Sequence, residues 1–162
     1  MLAGSSVRAR GVGSCALLCL LSLLPASAAA QAVSGGHSHT LFATPSGDLY
    51  AWGWNNAGQI GDGTNVNRTA PTLVLTDVVA VAAGLHHSVA LKTDGTVWTW
   101  GSGSYGELGN GTYSWVNVPT QVQSLTGVAA IVAGQRFTIA LKSDGTVWAW
   151  GLNNTGQLGD GT

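Results

Sequence analysis

From Pro71 to Trp100 the chain alternates short apolar runs with breaks carrying glycine and aspartate, a pattern too short-ranged for helices and suited to strands. Four strands are predicted in this window: PTLVL from Pro71, VVAVAA from Val78, HSVALK from His87 and VWTW from Val97. Proline heads the first, where its missing N–H does least harm, and Gly84 ends the second. Asp94-Gly95 joins the third to the fourth and is a strong hairpin signal, because glycine accepts positive φ. In the fourth strand Trp98 and Trp100 share one face, and Val97 and Thr99 the other. Both faces are apolar enough to be covered, as in blades stacked around an axis.

The pattern repeats. Trp52-Gly53, Trp100-Gly101 and Trp150-Gly151 are spaced by 48 and then 50 residues. Gly36, Gly84 and Gly134 keep the same offsets, as do His39, His87 and Phe137. A period of this size marks a propeller or solenoid and outranks local readings. The two extra residues of the second interval fall between Pro119 and Gly134, in a loop. Because the tryptophans recur as Tyr50/Trp52 and Trp148/Trp150, they are expected to be core and not a ligand box.

The first thirty residues follow a different rule. Arg8 and Arg10 precede the apolar run CALLCLLSLL, followed by Pro25 and a small-residue stretch with A-x-A cleavage candidates. This is the layout of a secretory signal peptide, predicted over 1–30, with the repeat region over 31–162. The run is shorter than the roughly 20 apolar residues that span a bilayer, so no membrane insertion is expected once the leader is cut. Both cysteines, Cys15 and Cys19, lie in the leader, which leaves the rest to be held by packing alone. Beyond the leader seven acidic residues face four basic ones, a formal charge of −3. No basic stripe is present for nucleic acid, and a secreted location is expected.

The stretch AGLHHSVALKTDGTVWTWGSGSYGELGNGT, with its order A-G-x-x-H-S-x-A-L, D-G-x-V-x-x-W-G and G-x-L-G-x-G-T, resembles the repeat of the regulator of chromosome condensation family. The resemblance covers nearly all of Val33 to Thr162 and implies seven-bladed β-propellers; VWAWGLNNTGQLGDGT is similar to repeats of exported bacterial members. The expected fold is all-β: two full four-stranded units plus a leading hairpin, ten strands, as an incomplete part of a seven-bladed propeller. Seven periods would need roughly 340 residues, so a fragment of a longer chain is expected. A chain of this natural length would instead self-associate to cover its open ends.

No G-x-S-x-G, H-E-x-x-H or phosphate-binding loop occurs, so neither an enzyme nor a cofactor is expected. A metal reading for His37 with His39 is outweighed by the repeat, since Phe137 fills the slot of His39 and His87 in the third copy. Positions that repeat are read as architecture, and equivalent positions that differ between copies as free for recognition. On that basis Trp54, Asn55, Leu85, His86, Tyr105, Tyr113, Trp115, Gln135 and Arg136 are the candidate partner-binding residues. For Trp54 and Trp115 the competing reading is that each covers a neighbouring blade's edge. The expected function is a secreted, non-catalytic scaffold whose loops bind a protein or a surface polymer. The resemblance also implies two alternatives: an inhibitor of a secreted enzyme, like the β-lactamase inhibitory propeller of soil bacteria, and guanine-nucleotide exchange on a small GTPase.

Overall fold

The computed structural model describes residues 32–162, and the expected leader lies outside them. Eleven strands run in chain order: β1 (Val33–Gly35), β2 (His39–Ala43), β3 (Leu49–Gly53), β4 (Arg68–Leu75), β5 (Val78–Ala83), β6 (His87–Lys92), β7 (Val97–Gly101), β8 (Val116–Gln121), β9 (Val128–Ala133), β10 (Phe137–Lys142) and β11 (Val147–Gly151). They form antiparallel sheets in the orders β1-β2-β3-β4, β5-β6-β7-β8 and β11-β10-β9. Each sheet is one blade, and the described residues contain no helix.

The all-β blade architecture is as expected, but the grouping of strands differs. The segment expected to open a unit, Pro71–Leu75, belongs to β4 and pairs with the preceding strand, Leu49 opposite Leu75 and Ala51 opposite Thr72. The glycine-rich loop therefore joins the third and fourth strands of one sheet and does not lead to the next blade. The blades are four-, four- and three-stranded, not a hairpin and two units of four. Periodicity fixes the length of the unit but not its starting point. Pro71 and Pro119 lie inside β4 and β8, the outermost strands of their sheets, where no further strand needs their N–H. At the β6–β7 turn, Gly95 takes φ +76° and its N–H donates to Lys92 O at 3.0 Å, while Asp94 Oδ1 accepts the Thr96 N–H at 2.9 Å.

The middle blade is buried on both faces, as its paired residues require. Ala90 and Trp100 join Leu41, Leu49, Ala51 and Ile60 of the first blade. Val89, Leu91 and Val97 turn the other way and pack with Ile131, Ala140 and Trp150 of the third. Ser88 lies directly opposite Trp100 in register, so the two share a face and enter the same seam. There Ser88 Oγ donates to Gln59 O at 2.7 Å, and Trp100 Nε1 donates to the same oxygen at 2.9 Å. With its proton committed, Ser88 Oγ accepts from His39 Nε2, 3.0 Å away in the first blade. The second seam copies the first: Thr138 Oγ1 and Trp150 Nε1 both donate to Glu107 O, each at 2.9 Å, and His87 Nε2 donates to Thr138 Oγ1 at 3.1 Å. The A-G-x-x-H spacing has its cause here. A Cβ on Gly84 would lie 2.1 Å from His87 Cε1 and 2.7 Å from Gly134 O, so only glycine lets the imidazole fold back against its own chain. In the third blade Phe137 fills that slot.

Candidate functional site

The loops between the first and second strands of each blade, those between the third and fourth strands of the first two blades, and the segment after β11 lie at the same end of the strands. Within residues 54–67 the side chain of Asn55 is fully buried and bonds to three separate backbone groups of the loop. Its Nδ2 donates to Thr64 O and Val66 O, each at 3.0 Å, and its Oδ1 accepts the Ile60 N–H at 2.9 Å. Asn55 was expected to meet a partner; it is instead the internal brace of its loop. Asn153 makes the equivalent bonds to Asp160, Thr162 and Leu158. Asn55→Ala should lower the unfolding free energy by about 2–3 kcal/mol, because the buried Ile60 N–H and the carbonyls of two partly buried bonds lose their partner at once; urea denaturation measures it. Arg68 is likewise tied to its own loop, paired with Asp62. Burial works to raise the Asp62 carboxyl, but hydrogen bonds from Thr64 and Arg68 outweigh it and hold it below the ordinary carboxylate range.

Between the second and third blades the loops leave a cleft of about 230 Å³ lined by Leu85, His86, Tyr105, Trp115, Gln135 and Arg136, together with Ser102, Ser104 and Glu107. The structure thus brings together six of the residues that the sequence singled out. Tyr105 is 40% exposed and Trp115 58%. Both rings are held in place: Trp115 Nε1 donates to Ser104 Oγ at 2.7 Å, and Arg136 Nη1 donates to Tyr105 Oη at 2.8 Å while its guanidinium lies 4.6 Å from the phenol ring centre. An aromatic–arginine group fixed before binding is the make-up of an interface anchor. Tyr113, the most exposed of the aromatics at 77%, stands outside the cleft lining.

Trp54 lies instead at the first junction. Its ring is 4.9 Å from that of His86, so it covers the neighbouring blade. Burial depresses the pKa of His86, helped by His37 and Arg136 and opposed by a backbone hydrogen bond and by Glu107. His37 sits before β2 with its ring 5.8 Å from that of His86, whereas His39 is buried in the seam. His37 and His39 therefore do not share a strand face, in keeping with the preference for the repeat slot over a metal reading. Among the described residues no three His, Cys, Asp or Glu side chains cluster as metal ligands.

Glu107 escaped the sequence reading. It is 2% exposed and forms part of the cleft lining, and its carboxylate accepts from the Tyr105 N–H at 2.6 Å and from Ser102 Oγ at 3.0 Å. Gln59 and Gln157 hold the same place in the other two loops and accept the equivalent N–H bonds, from Ala57 and Thr155. The charge at this one copy was the available signal.

Stacked antiparallel blades joined by buried seams, with the variable loops gathered at one end, define a β-propeller scaffold. A model of the regulator of chromosome condensation (RCC1) repeat matches residues 46–91 and 94–141, and a second model of that repeat matches 30–59, 78–107 and 128–157. The chain belongs to this repeat family. It is 48% identical over 42 residues to the ultraviolet-B receptor UVR8 of Arabidopsis thaliana, a match covering 26% of this chain and 10% of that protein. Among solved structures it is similar to human WBSCR16, with 31% identity and a TM-score of 0.68 over 74% of this chain and 32% of that one. It is also similar to Prp20p of Saccharomyces cerevisiae, with 26% identity and a TM-score of 0.70 over 83% of this chain and 36% of that one. The chain therefore spans about a third of the length of these solved relatives.

Proposed function

We propose that the protein is an exported, non-catalytic propeller scaffold that binds another protein through the loop end of its second and third blades. The family and fold support a scaffold or protein-binding role, and the leader pattern of residues 1–30 supports export. The observation that carries the reading is the pre-positioned group of Tyr105, Trp115 and Arg136 around one cleft. The opposite end offers short turns whose lysines are already paired, Lys92 with Asp77 at 3.6 Å and Lys142 with Asp144 at 3.5 Å.

The test is affinity capture from culture supernatant and from lysate with the tagged chain. A protein captured by the parent chain should be lost or weakened at least tenfold by the pair Trp115→Ala and Arg136→Ala, and kept by Asp94→Ala at the far end. Loss with Asp94→Ala and retention with the pair would overturn the assignment. Gsp1p and histones, named as binding partners of the yeast relative, are the first purified proteins to assay. Clear acceleration of nucleotide release would replace the scaffold reading with an exchange activity.

A further inference from the structure

The two blade junctions use equivalent positions, yet one is filled and the other is open. Counting from Gly36, Gly84 and Gly134 and from the three Trp-Gly pairs, Trp54 corresponds to Ser102, and His86 to Arg136. At the first junction the indole of Trp54 lies on the His86 ring. At the second, Ser102 brings no ring toward Arg136, and the space is the cleft of about 230 Å³. We propose that this cleft seats one aromatic side chain of a protein partner, an indole or a phenol, in the place that Trp54 occupies one blade earlier. The proposal rests on the protein-binding reading of the same end.

Size, charge and donor chemistry agree. A cavity of roughly 150 Å³ is enough to hold a benzene ring, so this cleft has room for an aromatic side chain. Arg136 offers a flat cation beside the opening, its orientation set by the bond to Tyr105 Oη and one face taken by the Tyr105 ring 4.6 Å away; a planar guanidinium has a second face, which attracts an aromatic ring in the same way. At the floor Glu107 is an acceptor only, and none of the ion pairs among the described residues includes it. Its oxygens retain lone pairs for an indole N–H or a phenol O–H, which phenylalanine and aliphatic side chains lack. A neutral ring with one donor can use both groups at once, facing the guanidinium of Arg136 and donating to Glu107. Trp115, pinned by Ser104, adds a ready apolar wall without further ordering.

The experiment titrates the full ¹⁵N-labelled chain with N-acetyl-tryptophanamide, following the Trp115 indole N–H and the Arg136 Nε–H by NMR, with N-acetyl-leucinamide as control. Saturable shifts at millimolar tryptophanamide are expected, with at least tenfold weaker binding of leucinamide. Ser102→Trp, which rebuilds the first junction's arrangement from within, should abolish the shifts, and Arg136→Gln should weaken them several-fold. A dispersed amide spectrum confirms that each variant is folded. Equal affinity for leucinamide, no saturable shift, or full binding by Ser102→Trp would overturn the proposal. Partner capture abolished by Ser102→Trp, in a parent chain that does not bind tryptophanamide, would overturn the aromatic seat and leave the protein-binding reading standing. Tryptophanamide binding without any captured protein would uphold the seat and count against that reading.

Discussion

Trp100→Ala is expected to lower the unfolding free energy by about 3–5 kcal/mol, the range for truncating a large buried aromatic. Trp100 is fully buried in the seam between the first two blades and belongs to the apolar cluster that includes Leu41, Leu49 and Ile60. Its Nε1 also donates to Gln59 O, the carbonyl shared with Ser88. Truncation opens a cavity and removes one of the two donors to that carbonyl. Against a total stability of roughly 5–15 kcal/mol, the loss would leave a large unfolded fraction at modest denaturant. Trp98→Ala, two residues away and only partly buried, should cost about half as much or less, since its ring already meets water. Urea denaturation followed by far-UV circular dichroism measures both. A loss under about 1 kcal/mol for Trp100→Ala would mean that the seam does not hold the blades together.

The second large effect is acid sensitivity. Burial lowers the pKa of His39 from 6.5 to about 4, with a further contribution from His86. Burial lowers His87 to about 3, with His39 and His86 adding to the shift. The geometry shows why protonation is resisted. Each Nε2 proton is given to a hydroxyl in the next blade, and each Nδ1 is buried without a hydrogen-bond partner. A second proton would place an unpaired charge there. The unfolded chain takes up protons near pH 6.5 and the folded chain only much lower, so the unfolded state binds more protons in between. Stability is therefore complete above about pH 6.5 and falls as the pH drops toward the folded values. Each histidine contributes a slope approaching about 1.4 kcal/mol per pH unit. His86, also lowered, adds a contribution of the same sign. Carboxylates titrate mainly below this range, so the loss between about pH 6.5 and 5 belongs to the histidines. Replacing both His39 and His87 by phenylalanine, the residue the third blade uses, should flatten the slope. Urea midpoints that stay constant from pH 7 to 5 would contradict the buried-neutral assignment.

Much of this fold was legible because its cause is periodic. The Trp-Gly spacing, the Asp-Gly turns and the alternation in β7 each follow from a local rule, and the structure places them as that rule requires. The blade boundary was not legible, because a repeat read along the chain has no first strand. Only the pairing of β4 with β3 settles it. The seam was half visible: the recurring His39 and His87 marked a shared slot, but its partner lies 49 residues away for His39 and 51 for His87. In the candidate site, internal comparison picked out Tyr105, Trp115 and Arg136 but could not tell an exposed variable residue from a buried one. Asn55 is buried and braces its own loop, whereas its counterpart Gly103 has no side chain and the second loop is held by Glu107. Glu107 was hidden for the opposite reason, since a glutamate in place of glutamine keeps the turn bond and changes only the charge.

A histidine–hydroxyl–carbonyl chain joins neighbouring blades, and long-range ¹H–¹⁵N NMR of the imidazole nitrogens at pH 7 observes it atom by atom. His39 and His87 should both be neutral, protonated on Nε2 and bare on Nδ1, with the Nε2 proton protected from exchange. A charged imidazolium, a proton on Nδ1, or rapid exchange at Nε2 would show that the seams are not built this way.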